Sequence, residues 1–182
     1  MIKPVYTWAS VLILLALGAY VFYFERGPVP LPAPSPPPQI LRFESATVVR
    51  LTLLAGKRKM SLSRSGPEAP WRFDSPAQGG VDSSRINSLL AQLSDWPAAQ
   101  VLEADLPVAR RAEFGLAPPA LTLTLDTTKA RYVIKIGQQT PVRSGYYVLG
   151  AEGKGLLLSY VNIPEALQQF LTSPPVTGAS KS

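Results

Sequence analysis

TVVRLTLLAGKRKMSLSR, residues 47–64, decides the fold of this chain. Val49, Leu51 and Leu53 recur at every second position, and Met60 and Leu62 then alternate with serines. Successive side chains of a strand point to opposite faces, so this period of two marks two half-buried strands, residues 47–54 and 59–64. AGKRK between them carries a glycine and three cations, which suits a solvated turn, and the stretch reads as a β-hairpin. Residues 71–73 predict a third short strand, ended by Pro76, Gly79 and Gly80.

C-terminal to the hairpin the period changes. Asp82 is a good N-cap, and Ile86, Leu89, Leu90 and Leu93 follow at helical spacing until Pro97. Four more strands come next: Leu121, Leu123 and Leu125 alternate with threonines, Tyr132, Ile134 and Ile136 alternate with Val133 and Lys135, and residues 146–149 and 156–160 flank AEGKG. A short helix over residues 164–171 closes the pattern, with proline in its first turn, where a missing amide costs nothing. The expected class is α+β: two sheet-forming regions, an antiparallel hairpin and an antiparallel meander, around one main helix and a short C-terminal helix.

N-terminal to the hairpin the composition is of another kind. Residues 5–24 are a twenty-residue uncharged run whose only clearly polar side chains are Thr7 and Ser10, with Tyr6 and Trp8 near one end and Tyr20, Phe22, Tyr23 and Phe24 near the other. As a helix it would be roughly 30 Å long, the thickness of a bilayer's hydrocarbon core, with aromatic rings at both interfaces. The rival reading is a cleaved signal peptide, but its apolar region would be shorter and would end in small residues. A transmembrane anchor over residues 1–26 is expected. Lys3 and the terminal amine, against Arg26 offset by Glu25, favour a cytoplasmic N-terminus and an extracytoplasmic remainder, with a single pass through the membrane.

Residues 27–38, GPVPLPAPSPPP, hold seven prolines in twelve positions. They predict a polyproline stalk of roughly 37 Å; a ligand for an SH3-type domain is the alternative for such a composition. Residues 39–173 then form one globular domain, and residues 174–182 read as a disordered tail. Setting aside Lys3, Arg26 and Glu25 leaves 16 basic and 11 acidic residues, about five net positive charges on the exported part. That balance suits an anionic lipid surface or a cell-wall polymer. It does not point to nucleic acid, because the charges are scattered and no recognition motif is present.

The chain has no histidine and no cysteine. It therefore lacks the usual near-neutral base, the thiolate nucleophile and the commonest transition-metal ligands. The twelve carboxylates are dispersed, AGKRKMS and LGAEGKG do not match a phosphate loop, and neither S-x-x-K nor G-x-S-x-G occurs. No catalytic residue, cofactor or metal is implied, and a non-enzymatic protein is expected. The candidate binding surface is basic: Lys57, Arg58 and Lys59 at the hairpin tip, and Arg110 and Arg111 ahead of Phe114, with Glu113 as a possible partner of the arginines. Trp71 reads as a core aromatic.

The order PWRFDSP, DSSRINSLLAQLSDW, AEFGLAPPALTLTL, VIKIGQQ, SGYYVL and VNIPEALQQF resembles the bacterial family called domain of unknown function 4340. The pieces fall on Trp71, Phe73, Pro76, Phe114, Gly115, Leu116, Pro118, Ile136, Gly137, Tyr146 and Tyr147. The resemblance implies a membrane-anchored extracytoplasmic protein, accessory to an ABC-type transport complex of the envelope; it supplies no catalytic residues. These positions also have structural readings: Gly115 as a left-handed helix end, Pro118 as a barrier to continuation, and Trp71 as a plug between sheet and helix. The expected function is a non-enzymatic binding or assembly module, and the alternative is recognition of a cell-wall glycan or lipid through the basic face.

Overall fold

The computed structural model describes residues 4–24, 38–75 and 79–177. Most of the stalk, Pro76 and residues 178–182 lie outside the described residues. Two units are separated at the stalk, Met1–Pro36 and Pro37–Ser182.

The first unit contains helix α1, Pro4–Phe24, 21 residues long. Its sequence is apolar around the whole circumference, and Trp8, Leu12, Ile13, Leu14, Leu15 and Leu17 are exposed. Side chains along α1 are described only at Trp8, residues 12–20 and Phe22. Over the described residues alone, no helix is long and apolar enough to cross a membrane.

The second unit contains β1 (Gln39–Arg42), β2 (Val48–Ala55), β3 (Arg58–Ser63), β4 (Arg72–Ser75), α2 (Ser83–Ser94), β5 (Asp95–Pro97), β6 (Gln100–Glu103), β7 (Leu121–Thr127), β8 (Arg131–Gln139), β9 (Gly145–Leu149), β10 (Leu156–Tyr160) and α3 (Asn162–Thr172). The α+β class with antiparallel strands is as expected. The two sheet-forming regions are one sheet, however: β2 pairs with β7, giving eight strands in the order β4-β3-β2-β7-β8-β9-β10-β6. The hairpin edge Leu51–Leu53 and the meander edge Leu123–Leu125 are equally apolar on the same face, so joining them leaves no apolar edge in the middle.

That face, the front, carries Leu51, Leu53, Leu62, Leu121, Leu123, Leu125, Ile134, Ile136 and Val148, all fully buried. Ile86, Leu89, Leu90 and Leu93 of α2 and Ile163, Leu167 and Phe170 of α3 belong to the same core. At about 1.5–3 kcal/mol for each large apolar side chain removed from water, this layer is the main source of stability. Asp82 caps α2, its Oδ1 accepting from the amides of Ser84 at 3.1 Å and Arg85 at 3.2 Å.

Four local readings need correction. A register shift between Val48 and Arg50 turns Val48 into the core and leaves Val49 only half-buried. The third strand starts at Arg72, with Trp71 packed beside it. Helix α2 ends at Ser94, not at Pro97, because Asp95–Pro97 leaves to pair with β1 in a separate two-stranded sheet, where Trp96 is sealed with its indole donating to Ser159 Oγ at 3.0 Å. Residues 174–177 are not loose: the amide of Asp82 donates to Pro175 O and that of Thr177 to Gly80 O, both at 2.8 Å. Val81 and Val176 form a bridge there, which ties this segment to the start of α2.

Candidate functional site

The back of the sheet is divided. Over β8, β9 and β10 it is covered by the segment that leads from β6 to β7. Pro107 opens a 3-10 helix, Val108–Phe114, and Gly115 ends it at φ 66°, in the left-handed region where a side chain is costly. Leu106 and Leu116 pack on Leu149 and Leu156 in a second small core. Phe114 meets Tyr147 edge to face with ring centroids 5.0 Å apart. Gly137 lets this cover lie flat, since a Cβ there would overlap the Phe114 carbonyl oxygen. Five of the sequence-predicted family positions thus work together: Phe114, Gly115 and Leu116 form the cover, and Gly137 and Tyr147 receive it. Tyr146 points the other way, into the main core. Pro118 follows a cis peptide bond at the end of the cover.

Over β4, β3, β2, β7 and the first half of β8 the back face is open, and the strand register arranges it in three rows. One row crosses Arg72, Ser63, Arg50, Asp126 and Arg131. The next crosses Ser61, Thr52, Thr124 and Val133, and the last Lys59, Leu54, Thr122 and Lys135. With strands about 4.8 Å apart, each row is on the order of 15–20 Å long. The middle row is a lane of hydroxyls between two rows that carry the cations. It lies in a shallow concavity of ≈ 540 Å³ lined by Arg50, Thr52, Lys59, Ser61, Asp74 and Thr124 among others.

Hydrogen bonds fix part of this face. Asp74 on the edge strand accepts from Ser63 Oγ at 2.7 Å and from Ser61 Oγ at 3.4 Å, and Ser61 Oγ lies 3.2 Å from Thr52 Oγ1. Arg50 Nε sits 3.5 Å from Asp74 Oδ2, and Arg131 Nε 2.5 Å from Asp126 Oδ1. The hydrogen bond and charge of Asp126 hold the Arg131 pKa above its ordinary value. Arg72, Lys59 and Lys135 have no ion-pair partner among the described residues. The face therefore carries five cations and two carboxylates. Asp74 is thus shared between the Ser63 hydroxyl on one side and the Arg50 guanidinium on the other. Among the described residues no three metal-ligating side chains gather.

The other basic residues are not part of one surface. Lys57, Arg58 and Lys59 are exposed at the β2–β3 tip, where Gly56 turns at φ 57°, and of these three Lys59 lines the concavity. Arg110 and Arg111 belong to the cover, and the β9–β10 turn that Arg111 reaches lies four or five strands from Lys59 on β3, or about 19–24 Å. Arg110 is bound by Glu103 at 2.8 Å and Glu113 at 3.3 Å, and the hydrogen bond to Glu103 leads the upward shift of its pKa. Arg111 donates to Gly153 O at 2.8 Å, fastening the cover to the β9–β10 turn. The expectation of a joint basic face including these two arginines is therefore corrected: local carboxylates and a carbonyl claim them.

Arg64, which the sequence did not single out, is a staple. It donates to Val48 O at 2.6 Å, Ala46 O at 2.8 Å, Ser45 O at 3.1 Å and also to Pro67 O, and its guanidinium lies 4.9 Å from the Trp71 ring centroid. Burial lowers its pKa. Trp71 is buried as expected, its indole 3.3 Å from Asn87 Oδ1 of α2. Arg64 is separated from Trp71 by the turn SGPEAP, and a contact made across a turn leaves no strand or helix period by which to find it.

The family model described as Domain of unknown function (DUF4340) matches residues 71–169, more than half of the chain, and the chain belongs to that family. No curated protein and no solved structure matches it.

Proposed function

We propose that this DUF4340 protein is a single-pass membrane protein that presents its second unit outside the cytoplasm as a non-enzymatic binding and assembly module. The observation that carries the reading is α1: 21 residues, apolar on every side, with leucines exposed along it. A helix of that kind is stable in water only if covered, and a bilayer covers it completely. Lys3 on one side, with Arg26 offset by Glu25 on the other, favours an N-terminus in the cytoplasm. The partner class that the family resemblance implies is the subunits of an ABC-type export complex in the bacterial inner membrane. No cofactor enters this reading.

The test is cross-linking in cells followed by purification of the full-length chain and of a chain lacking residues 5–24. The reading expects the full-length chain in the membrane fraction with transporter subunits, and loss of both on deletion. Recovery of the full-length chain in the soluble fraction would sink the anchor. A membrane-bound chain with no co-purifying subunits would sink the complex.

A second reading, recognition of a cell-wall glycan or a lipid, is favoured by the open, cationic back face of the sheet.

A further inference from the structure

We infer that the open back face is a binding site for an anionic polysaccharide, laid across the strands over the Ser61–Thr52–Thr124 lane. The inference rests on the reading of this unit as a binding module, but not on the anchor or on any transporter.

The occupant follows from what the face offers. Five cations against two carboxylates give a net charge that attracts a polyanion and repels a second copy of the same face. Lys59 and Lys135 stand at the two ends of one row and Arg72 at the end of another, all three free of carboxylate partners among the described residues, so the polymer's charges would be met on both sides of the lane. Arg131 is held by both oxygens of Asp126, which fixes its guanidinium plane, and Arg50 makes a single 3.5 Å ion pair with Asp74; both keep N–H groups for a second acceptor. Within and beside the lane, Thr52, Thr124 and Thr122 are half-buried hydroxyls that both donate and accept, the pairing that sugar hydroxyls need.

The same inventory argues against other partners. Leu54 and Val133 are the apolar side chains of the three rows, too few for the buried anchor cluster of a protein interface. No aromatic ring stands in the rows, so a nucleic acid would find charge without a stacking platform.

The experiment measures retention of the full chain, in detergent, on immobilised polygalacturonate, with neutral dextran, a single-stranded oligonucleotide and anionic phospholipid vesicles as competitors. The expected result is binding to polygalacturonate that falls with added salt and that dextran does not compete. The double substitution Lys59→Gln with Lys135→Gln should weaken it at least about tenfold, and Thr52→Val severalfold with an unchanged salt slope. Arg85→Gln, on helix α2 across the front of the sheet, should change it less than about twofold. Each single lysine substitution gives the same direction if the double variant does not fold. No retention at low salt, equal retention of all variants, or stronger competition by the oligonucleotide or the vesicles through the same residues would overturn the site. Cleavage of the polymer, with the same residue dependence, would support the site and overturn the non-enzymatic reading instead.

Discussion

The two faces of the eight-stranded sheet are made by the same strands and have opposite chemistry. In β2 the front residues Leu51 and Leu53 are fully buried, whereas Thr52 is half-buried and Leu54 is 42% exposed. In β9 the contrast disappears: Tyr146 and Val148 are buried on the front, and Leu149 is buried on the back. Strict alternation with polar partners marks a strand that is covered once, and a strand apolar at consecutive positions marks one covered twice. The difference locates the cover over β8–β10 and leaves the hydroxyl lane open.

The largest break in this contrast is expected at Trp96, 1% exposed and hydrogen-bonded to Ser159. Trp96→Ala should cost about 3–5 kcal/mol in urea unfolding, and a cost under about 1 kcal/mol would contradict a sealed front core. Gly137→Ala attacks the covered part of the back face by forcing the Phe114 carbonyl away. A loss of about 1–3 kcal/mol is expected, together with faster proteolysis within residues 105–120; an unchanged cleavage pattern would show that the cover does not depend on this contact.

Arg64→Met removes donors to four carbonyls and the cation over Trp71. It should cost about 1–2 kcal/mol, visible as a lower urea midpoint; an unmoved midpoint would remove the staple. On the open face, by contrast, Lys59→Gln should move stability by no more than about 0.5 kcal/mol, so that its effect on polymer retention stands apart from folding.

The smallest effect is a pH dependence at Asp82. Its carboxyl is held below the ordinary carboxylate range, first by the Ser84 hydroxyl and then by the Arg85 amide. A depressed folded-state pKa stabilises the fold above the unfolded value, about 4, and the gain is lost as pH falls through the lower, folded value. Thermal unfolding between about pH 6 and pH 2 should therefore show a steeper acid loss for the native chain than for Asp82→Asn. Parallel curves would remove Asp82 from the account.

Much of this was legible in the strands with clean periods. Leu121, Leu123 and Leu125, the Asp82 cap and the leucines of α2 give face, start and contacts from sequence alone. Strands β1, β5 and β6, three or four residues each, are too short to show a period. The core side of Val48 was hidden by a register shift, which no local pattern announces. Lys59 was recognised as a candidate, but its neighbours in the rows were not, because cross-strand register depends on turn lengths and on pairing between distant segments. Arg110 and Arg111 looked like surface charge; the carboxylate of Glu103 and the carbonyl of Gly153 that hold them come from β6 and the β9–β10 turn.

The chain has no cysteine, so a single introduced thiol reports one position without interference. Leu53→Cys and Leu54→Cys, adjacent residues on opposite faces, should be compared for their rate of alkylation in the folded full chain. An open back face predicts that Leu54→Cys reacts nearly as fast as in urea and that Leu53→Cys reacts at least about a hundredfold more slowly. Equal rates, or protection of both thiols, would contradict it.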